Sequence, residues 1–277
     1  MKNGPRPDGL RWCPVLSVSR HSRRWLLTRA LPAASATVLA ATACSRATAS
    51  ARSDDDPLLA LVYRGPGACD GCAESVAALL EGAPRPFTVQ YVGPDEDVPL
   101  TAEGLAGADV YAQPGGDDDL DGTWRELRGA ADAIRDWTRD GGRYLGFCMG
   151  AYLAGDDPGF GLLPGSTDQY ITSPDASVHD ERDTVVQVRW RDEPRHMYFQ
   201  DGPIFLLDDD ADFSVLATYD NDTLAAVVAP YGKGRVGVVG PHPEADASWY
   251  EDAGLENPDG IRFDLGHDLI EETVRGL

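Results

Sequence analysis

The stretch Tyr144-Leu145-Gly146-Phe147-Cys148-Met149-Gly150-Ala151-Tyr152-Leu153-Ala154-Gly155 constrains this chain more than any other. It compresses an apolar run, a tight turn and a helix start into one segment. Glycines stand two residues before and two after Cys148, the spacing of a nucleophile elbow. In such an elbow a strained strand-to-helix turn pushes one side chain out, and bulkier neighbours would clash. A thiol there meets the orphan N–H groups of a helix N-terminus, which favour thiolate, and the Met149 N–H is placed to donate to an oxyanion. A G-x-C-x-G pattern alone is short, and most buried cysteines are inert packing. The surrounding elements decide its meaning.

The fold starts near Leu58. Leu58–Tyr63 reads as a buried strand running into the turn cluster Gly65-Pro66-Gly67, followed by a helix over 73–81. Strands follow at Phe87–Val92 and Val110–Gln113, the second ending at Pro114-Gly115-Gly116. Trp124, Leu127, Ala131, Ile134 and Trp137 recur at intervals of three and four, which predicts one continuous helix over 123–140, stopped by Gly141 and Gly142. Arg143–Phe147 is then the strand that delivers Cys148. Strand alternating with helix predicts a doubly wound, mostly parallel α/β sheet whose chemistry collects at the carboxyl ends of the strands. Three loops should therefore meet: 65–72, 114–119 and the Cys148 elbow. Strand signals at 184–190, 195–199, 213–219 and 224–229 predict antiparallel additions in the second half. A final strand is expected over 234–240 and a closing helix over 264–275, with no internal repeat and no second domain.

His242, Pro243 and Glu244 follow that last strand at once. Imidazole can take the proton of a thiol and give it to a leaving group, while a carboxylate fixes the imidazole tautomer. Cys148, His242 and Glu244 therefore form a candidate catalytic triad. His179, His196 and His267 have no partners at metal-ligand spacing and read as structural or surface residues. The Asp runs at 117–119 and 208–210 lack the glycine-bearing loop of a calcium site and read as solvated surface. Trp249 and Tyr250, just past Glu244, either line a pocket or pack. Neither a metal nor a cofactor is expected.

With these residues in place, the chain resembles the class I glutamine amidotransferase superfamily. The matching residues are the Gly146-Phe147-Cys148-Met149-Gly150 elbow, His242-Pro243-Glu244, and Gln113-Pro114-Gly115-Gly116 where that superfamily carries its oxyanion glycines. Within it the chain looks most like the biotin-protein ligase N-terminal domain family. That likeness rests on Val62-Tyr63-Arg64-Gly65-Pro66-Gly67, Tyr144 to Tyr152, Tyr198-Phe199-Gln200-Asp201-Gly202-Pro203, and Gly232-Lys233-Gly234 leading to Gly240-Pro241-His242-Pro243-Glu244. The resemblance covers about 58–277. It implies a flavodoxin-like amidotransferase fold with Cys148, His242 and Glu244 as catalytic residues. It also implies Gly115, Gly116 and Met149 N–H groups near the oxyanion, and substrate contacts from Tyr198, Gln200, Asp201 and Gly202.

What lies outside that likeness bears on use. Ser22-Arg23-Arg24-Trp25-Leu26-Leu27 is a twin-arginine export pattern, followed by an alanine-rich run, 30–43, too short to span a bilayer comfortably. Ala41-Thr42-Ala43 precedes Cys44 as small residues precede a lipidated cysteine, although the usual leucine is replaced by Ala41. Residues 1–43 thus read as an export signal, 44–57 as a polar tether and 58–277 as the domain, held at the outer face of the membrane by a lipid on Cys44. Cleavage without a lipid and a retained anchor are the alternatives. Past residue 43 the chain holds 17 basic against 45 acidic residues, and only Lys2 and Lys233 are lysine. That balance excludes a nucleic-acid face and is of the haloarchaeal, salt-adapted type.

Cys69-Asp70-Gly71-Cys72 reads in an exported chain as a local disulfide, with a reduced redox pair or a metal half-site as alternatives. Ammonia transfer to an ATP-consuming synthetase is not expected outside a cell, so the glutaminase half of an amidotransferase is the lesser alternative. Gly232-Lys233-Gly234-Arg235-Val236-Gly237 precedes a strand rather than a helix and reads as a turn; with no ligase half, biotin ligation is not expected. The expectation is an exported cysteine hydrolase or amidase acting on an amide or γ-glutamyl-like bond of a small molecule or peptide. Its alternative is a silent binding module on the same fold. Oligomeric state is not legible.

Overall fold

The alternation of side chains along the first strand sets the layering of the sheet. In the computed structural model, which describes residues 56–156 and 158–277, β1 (Leu58–Tyr63) pairs in parallel on both sides. A strand buried on both faces needs apolar residues at successive positions. Leu58, Ala60 and Val62 accordingly enter one core layer, and Leu61 and Tyr63 the other. The twin arginines Arg23 and Arg24, Cys44 and all but the last two residues of the expected tether lie outside the described residues.

α1 (Cys72–Glu81) covers the first layer through Val76, Leu79 and Leu80, and β2 (Phe87–Val92) pairs with one side of β1. The single turn α2 (Ala102–Leu105) leads to β3 (Val110–Gln113) on the other side. α3 (Leu120–Leu127) and α4 (Ala131–Asp140) cover the second layer with Leu127, Ala131 and Ile134. The apolar stripe from Trp124 to Trp137 thus belongs to two helices rather than the single one expected. A 3-10 turn, Arg128–Ala130, separates them. Gly129 lies in that turn, where a helix-interior glycine costs about 1 kcal/mol relative to alanine.

β4 (Arg143–Phe147) pairs with β3 and is followed by α5 (Met149–Tyr152). The second half adds β5 (Gly165–Gln169), β6 (Thr184–Trp190), β7 (Glu193–Phe199), β8 (Pro203–Leu207), β9 (Ser214–Tyr219), β10 (Leu224–Tyr231) and β11 (Gly234–Val239). α6 (Ala247–Ala253) and α7 (Asp264–Val274) complete the chain. The sheet order is β2-β1-β3-β4-β11-β10-β9-β6-β7, with β8 pairing β10 and β5. Pairs from β2 through β11 are parallel, and those beyond β11 antiparallel. This is the doubly wound sheet with antiparallel additions that the sequence predicts. Gly232-Lys233 forms the turn between β10 and β11, as read, with Gly232 at φ 61°.

Topology places the site. From β1 the chain moves outward to β2 and then returns to β3 on the opposite side, so a crevice opens beyond the carboxyl ends of β1 and β3. β4 and β11 end beside it.

Candidate active site

Cys148 terminates β4 in a backbone conformation, φ 47° and ψ −105°, that a residue with a side chain rarely adopts. Such a position costs about 1–3 kcal/mol and persists only where its surroundings hold it. Two features hold it here. The Cys148 N–H donates to the Val239 carbonyl at 2.9 Å, extending the β4–β11 ladder by one bond. The flanking glycines let the chain turn on itself: a Cβ on Gly146 would lie 2.5 Å from the Gly150 carbonyl oxygen, and one on Gly150 2.1 Å from that of Gln113. The elbow is therefore present as expected. The helix after it is a single turn, however, so its dipole offers the thiol little.

The stronger influence comes from β11. Val239 stands opposite Phe147, so the two strands end level, and His242 arrives beside Cys148. The His242 N–H donates to the Tyr198 carbonyl at 2.9 Å, which ties the histidine to the end of β7. Its Nδ1 lies 2.8 Å from Oε1 of Glu244, leaving Nε2 as the nitrogen for the thiol, and Cys148 is near enough to the ring to act on its proton affinity. Cys148, His242 and Glu244 are 7%, 5% and 0% exposed. Burial alone would push the imidazole pKa down. The charges of Glu244 and Cys148, with hydrogen bonding to the ring, outweigh burial and raise it to about 10. Rings of Tyr198 and Trp249, with centroids 6.0 and 5.1 Å from that of His242, brace it from behind.

The three loops meet as predicted. A cavity of about 620 Å³ is lined by Cys69 from the first, Gly116 to Asp119 from the second, and Cys148 and Met149 from the elbow. The two glycines expected near the oxyanion are placed differently. Gly116 faces the cavity and packs on the Met149 side chain, whereas Gly115 is wedged behind it. A Cβ on Gly115 would come within 3.1 Å of the His242 ring and 3.5 and 3.6 Å of the sulfurs of Cys69 and Cys72. Those two cysteines form a disulfide, the first of the alternatives raised by their spacing. Gln113, at the root of the glycine loop, is fully buried and accepts a hydrogen bond from the Tyr111 hydroxyl at 2.6 Å.

Of the expected substrate contacts, Gln200 and Asp201 line the cavity, and the Gln200 carbonyl accepts from the Cys148 thiol at 3.5 Å. Tyr198 stands behind His242 instead. Gly202 is explained by packing, since a Cβ there would meet the Gly240 carbonyl oxygen at 2.3 Å. Tyr152, Gln169 and Glu181 also line the cavity without having been expected. Tyr152 had a signal, because it follows Cys148 by four residues on a helical turn and so shares its face. The Asp run at 117–119 is exposed surface, as read, but it also rims the cavity, and Asp119 caps α3 by accepting from the Gly122 N–H at 2.8 Å. His196 pairs with Asp259 at 3.2 Å, away from the cavity.

A thiol beside an imidazole that a buried carboxylate orients can attack a carbonyl carbon and have its proton carried to the departing group. Comparison with known proteins agrees in fold. Residues 58–163 match the family model described as "Biotin-protein ligase, N terminal", a span that contains Gly115, Gly116 and Cys148 and ends before His242. The structure of PurLQS from Thermotoga maritima is similar at 18% identity, covering 79% of this chain and 98% of that one with a TM-score of 0.51. A protein assigned as a GMP synthase component from Thermoplasma acidophilum is similar at 14% identity, covering 79% and 94%, with a TM-score of 0.50. No curated protein matches the sequence. The fold is that of the class I glutamine amidotransferases, and residues 58–163 carry the likeness to the biotin-protein ligase N-terminal family.

Proposed function

We propose that the chain is an exported cysteine hydrolase that cleaves an amide or γ-glutamyl-like bond with Cys148, His242 and Glu244. The observation that carries this reading is the buried Glu244 carboxylate 2.8 Å from Nδ1 of His242, with Cys148 close enough to act on the same ring. The thiolate sulfur attacks the carbonyl carbon, forming a C–S bond while the carbonyl π electrons move to oxygen. N–H groups of Gly116 and Met149 receive that oxyanion. As it collapses the C–N bond breaks, and the His242 imidazolium gives its proton to the departing amine. Water, losing a proton to His242, then attacks the thioester carbon; the C–S bond breaks, the acid leaves, and the Cys148 thiolate and His242 imidazolium are restored.

Compartment favours water as the acceptor. The Cys69–Cys72 disulfide suits an oxidising environment, and the Arg23-Arg24 pattern with Cys44 gives a route to the outer face of a membrane. No helix among the described residues is long and apolar enough to cross a membrane; the tether proposed from the sequence is a lipid on Cys44. The test is turnover of a panel of small amides and γ-glutamyl compounds in concentrated salt. Hydrolysis by the wild type, absent in Cys148→Ala and His242→Ala, is the expected result. A folded wild-type protein that binds members of the panel without cleaving any would make it a binding module instead.

A further inference from the structure

One carboxylate in the cavity is at odds with its surroundings. Asp201 is half-buried at φ 46°, and its Oδ2 accepts from Gln169 Nε2 at 2.7 Å. Its Oδ1 is shielded from solvent and has no partner among the described residues. An oxygen left unpaired there carries its full desolvation penalty. Beside it stands a second orphan. The hydroxyl of Tyr152, a residue only 8% exposed, lines the same cavity without a hydrogen bond among the described residues, within electrostatic reach of both Asp201 and Cys148. Burial is the largest influence on the Asp201 carboxyl and pushes its pKa up to about 6; the Gln169 bond opposes this, and Glu181 and Asp118 add repulsion.

A salt-adapted surface accounts for Asp117 and Asp118, which are exposed and hydrated. It does not account for an acid whose free oxygen is shut away from water. Among the described residues that line the cavity there is no lysine, arginine or histidine to neutralise Asp201. We infer that the cavity over Cys148 takes a cationic group, a primary ammonium or a guanidinium, with Asp201 Oδ1 and the Tyr152 hydroxyl as acceptors and Glu181 and Asp118 adding field. This deepens the hydrolase reading and rests on it only for the word substrate: the scissile amide belongs to a molecule with an amine or guanidine near the bond. A substrate defined by a free α-carboxylate finds no basic side chain among those described residues.

The pair Nα-acetylargininamide and Nα-acetylcitrullinamide, alike in shape, both without an α-ammonium and differing only in the charge of the terminal group, tests the inference. Their binding to the full-length chain is measured by calorimetry in concentrated KCl, where the field of the acidic surface is screened to about 3 Å at 1 M. Nα-acetylargininamide is expected to bind about tenfold tighter or more. Asp201→Asn, an isostere that tolerates positive φ, should abolish the preference, and Tyr152→Phe should reduce it. Equal affinity for the two ligands, or a preference that survives Asp201→Asn, overturns the inference. Cys148→Ala separates the two claims. A charge preference in Cys148→Ala, with no amide turnover by the wild type, leaves the cation site standing and removes the hydrolase. Cys148-dependent turnover of cationic and neutral amides at equal rates does the reverse.

Discussion

Asp201 and Cys148 each occupy a position that ordinary packing does not favour. Cys148 holds a strained backbone angle so that its sulfur faces the cavity, and Asp201 holds a charge where water is scarce. The sign of the second effect is testable. A carboxyl whose folded pKa, about 6, exceeds its ordinary 3.8 binds its proton more tightly when folded. Stability contributed by this group is therefore present at low pH and lost as the pH rises through that window. Denaturant midpoints between about pH 4 and 7 should fall for the wild type relative to Asp201→Asn, which leaves the variant the more stable protein at neutral pH. Parallel curves for the two proteins would show that Asp201 is not under strain. Cys148, His242 and Glu244, the residues proposed as a triad, were legible as candidates because each sits in a short motif at a strand end. The predicament of Asp201 was not, because burial of one carboxylate oxygen depends on Gln169 and Tyr152, which come from distant parts of the chain.

At the scale of elements, the two glycines of the elbow carry the argument. Gly150 lies in α5, and replacing a helical glycine by alanine ordinarily gains about 1 kcal/mol. Here the added methyl would meet the Gln113 carbonyl oxygen at 2.1 Å, so Gly150→Ala should instead destabilise by about 1–3 kcal/mol. Chemical denaturation decides the sign, and a stabilised variant would mean that the elbow is looser than described. Elements built from their own side chains were readable: β1, β2, β3, β4 and β6 fall where their apolar runs put them. β5 was not, since Gly165-Ser166-Thr167-Asp168-Gln169 is polar and becomes a strand only by pairing with β8. Pro203 obscured β8 in turn, and the apolar stripe of 123–140 hid the break at Gly129.

For the whole molecule, charge is the governing quantity. With 45 acidic and 17 basic residues past residue 43, the chain repels itself in dilute buffer. Thermal midpoints should rise with KCl and flatten once the screening length falls to about 3 Å, near 1 M. A midpoint insensitive to salt would argue against salt adaptation. The proposed cation site draws on that same acidity, and the Cys69–Cys72 disulfide lies beside Gly115 at the edge of the cavity. All of this depends on Cys148 being a nucleophile made reactive by His242. The direct measurement is the rate at which iodoacetamide modifies Cys148, followed by mass spectrometry of its peptide in the folded full-length chain. The account predicts that His242→Gln slows modification at neutral pH by about tenfold or more, with Glu244→Gln intermediate. Equal rates in wild type and His242→Gln would contradict it.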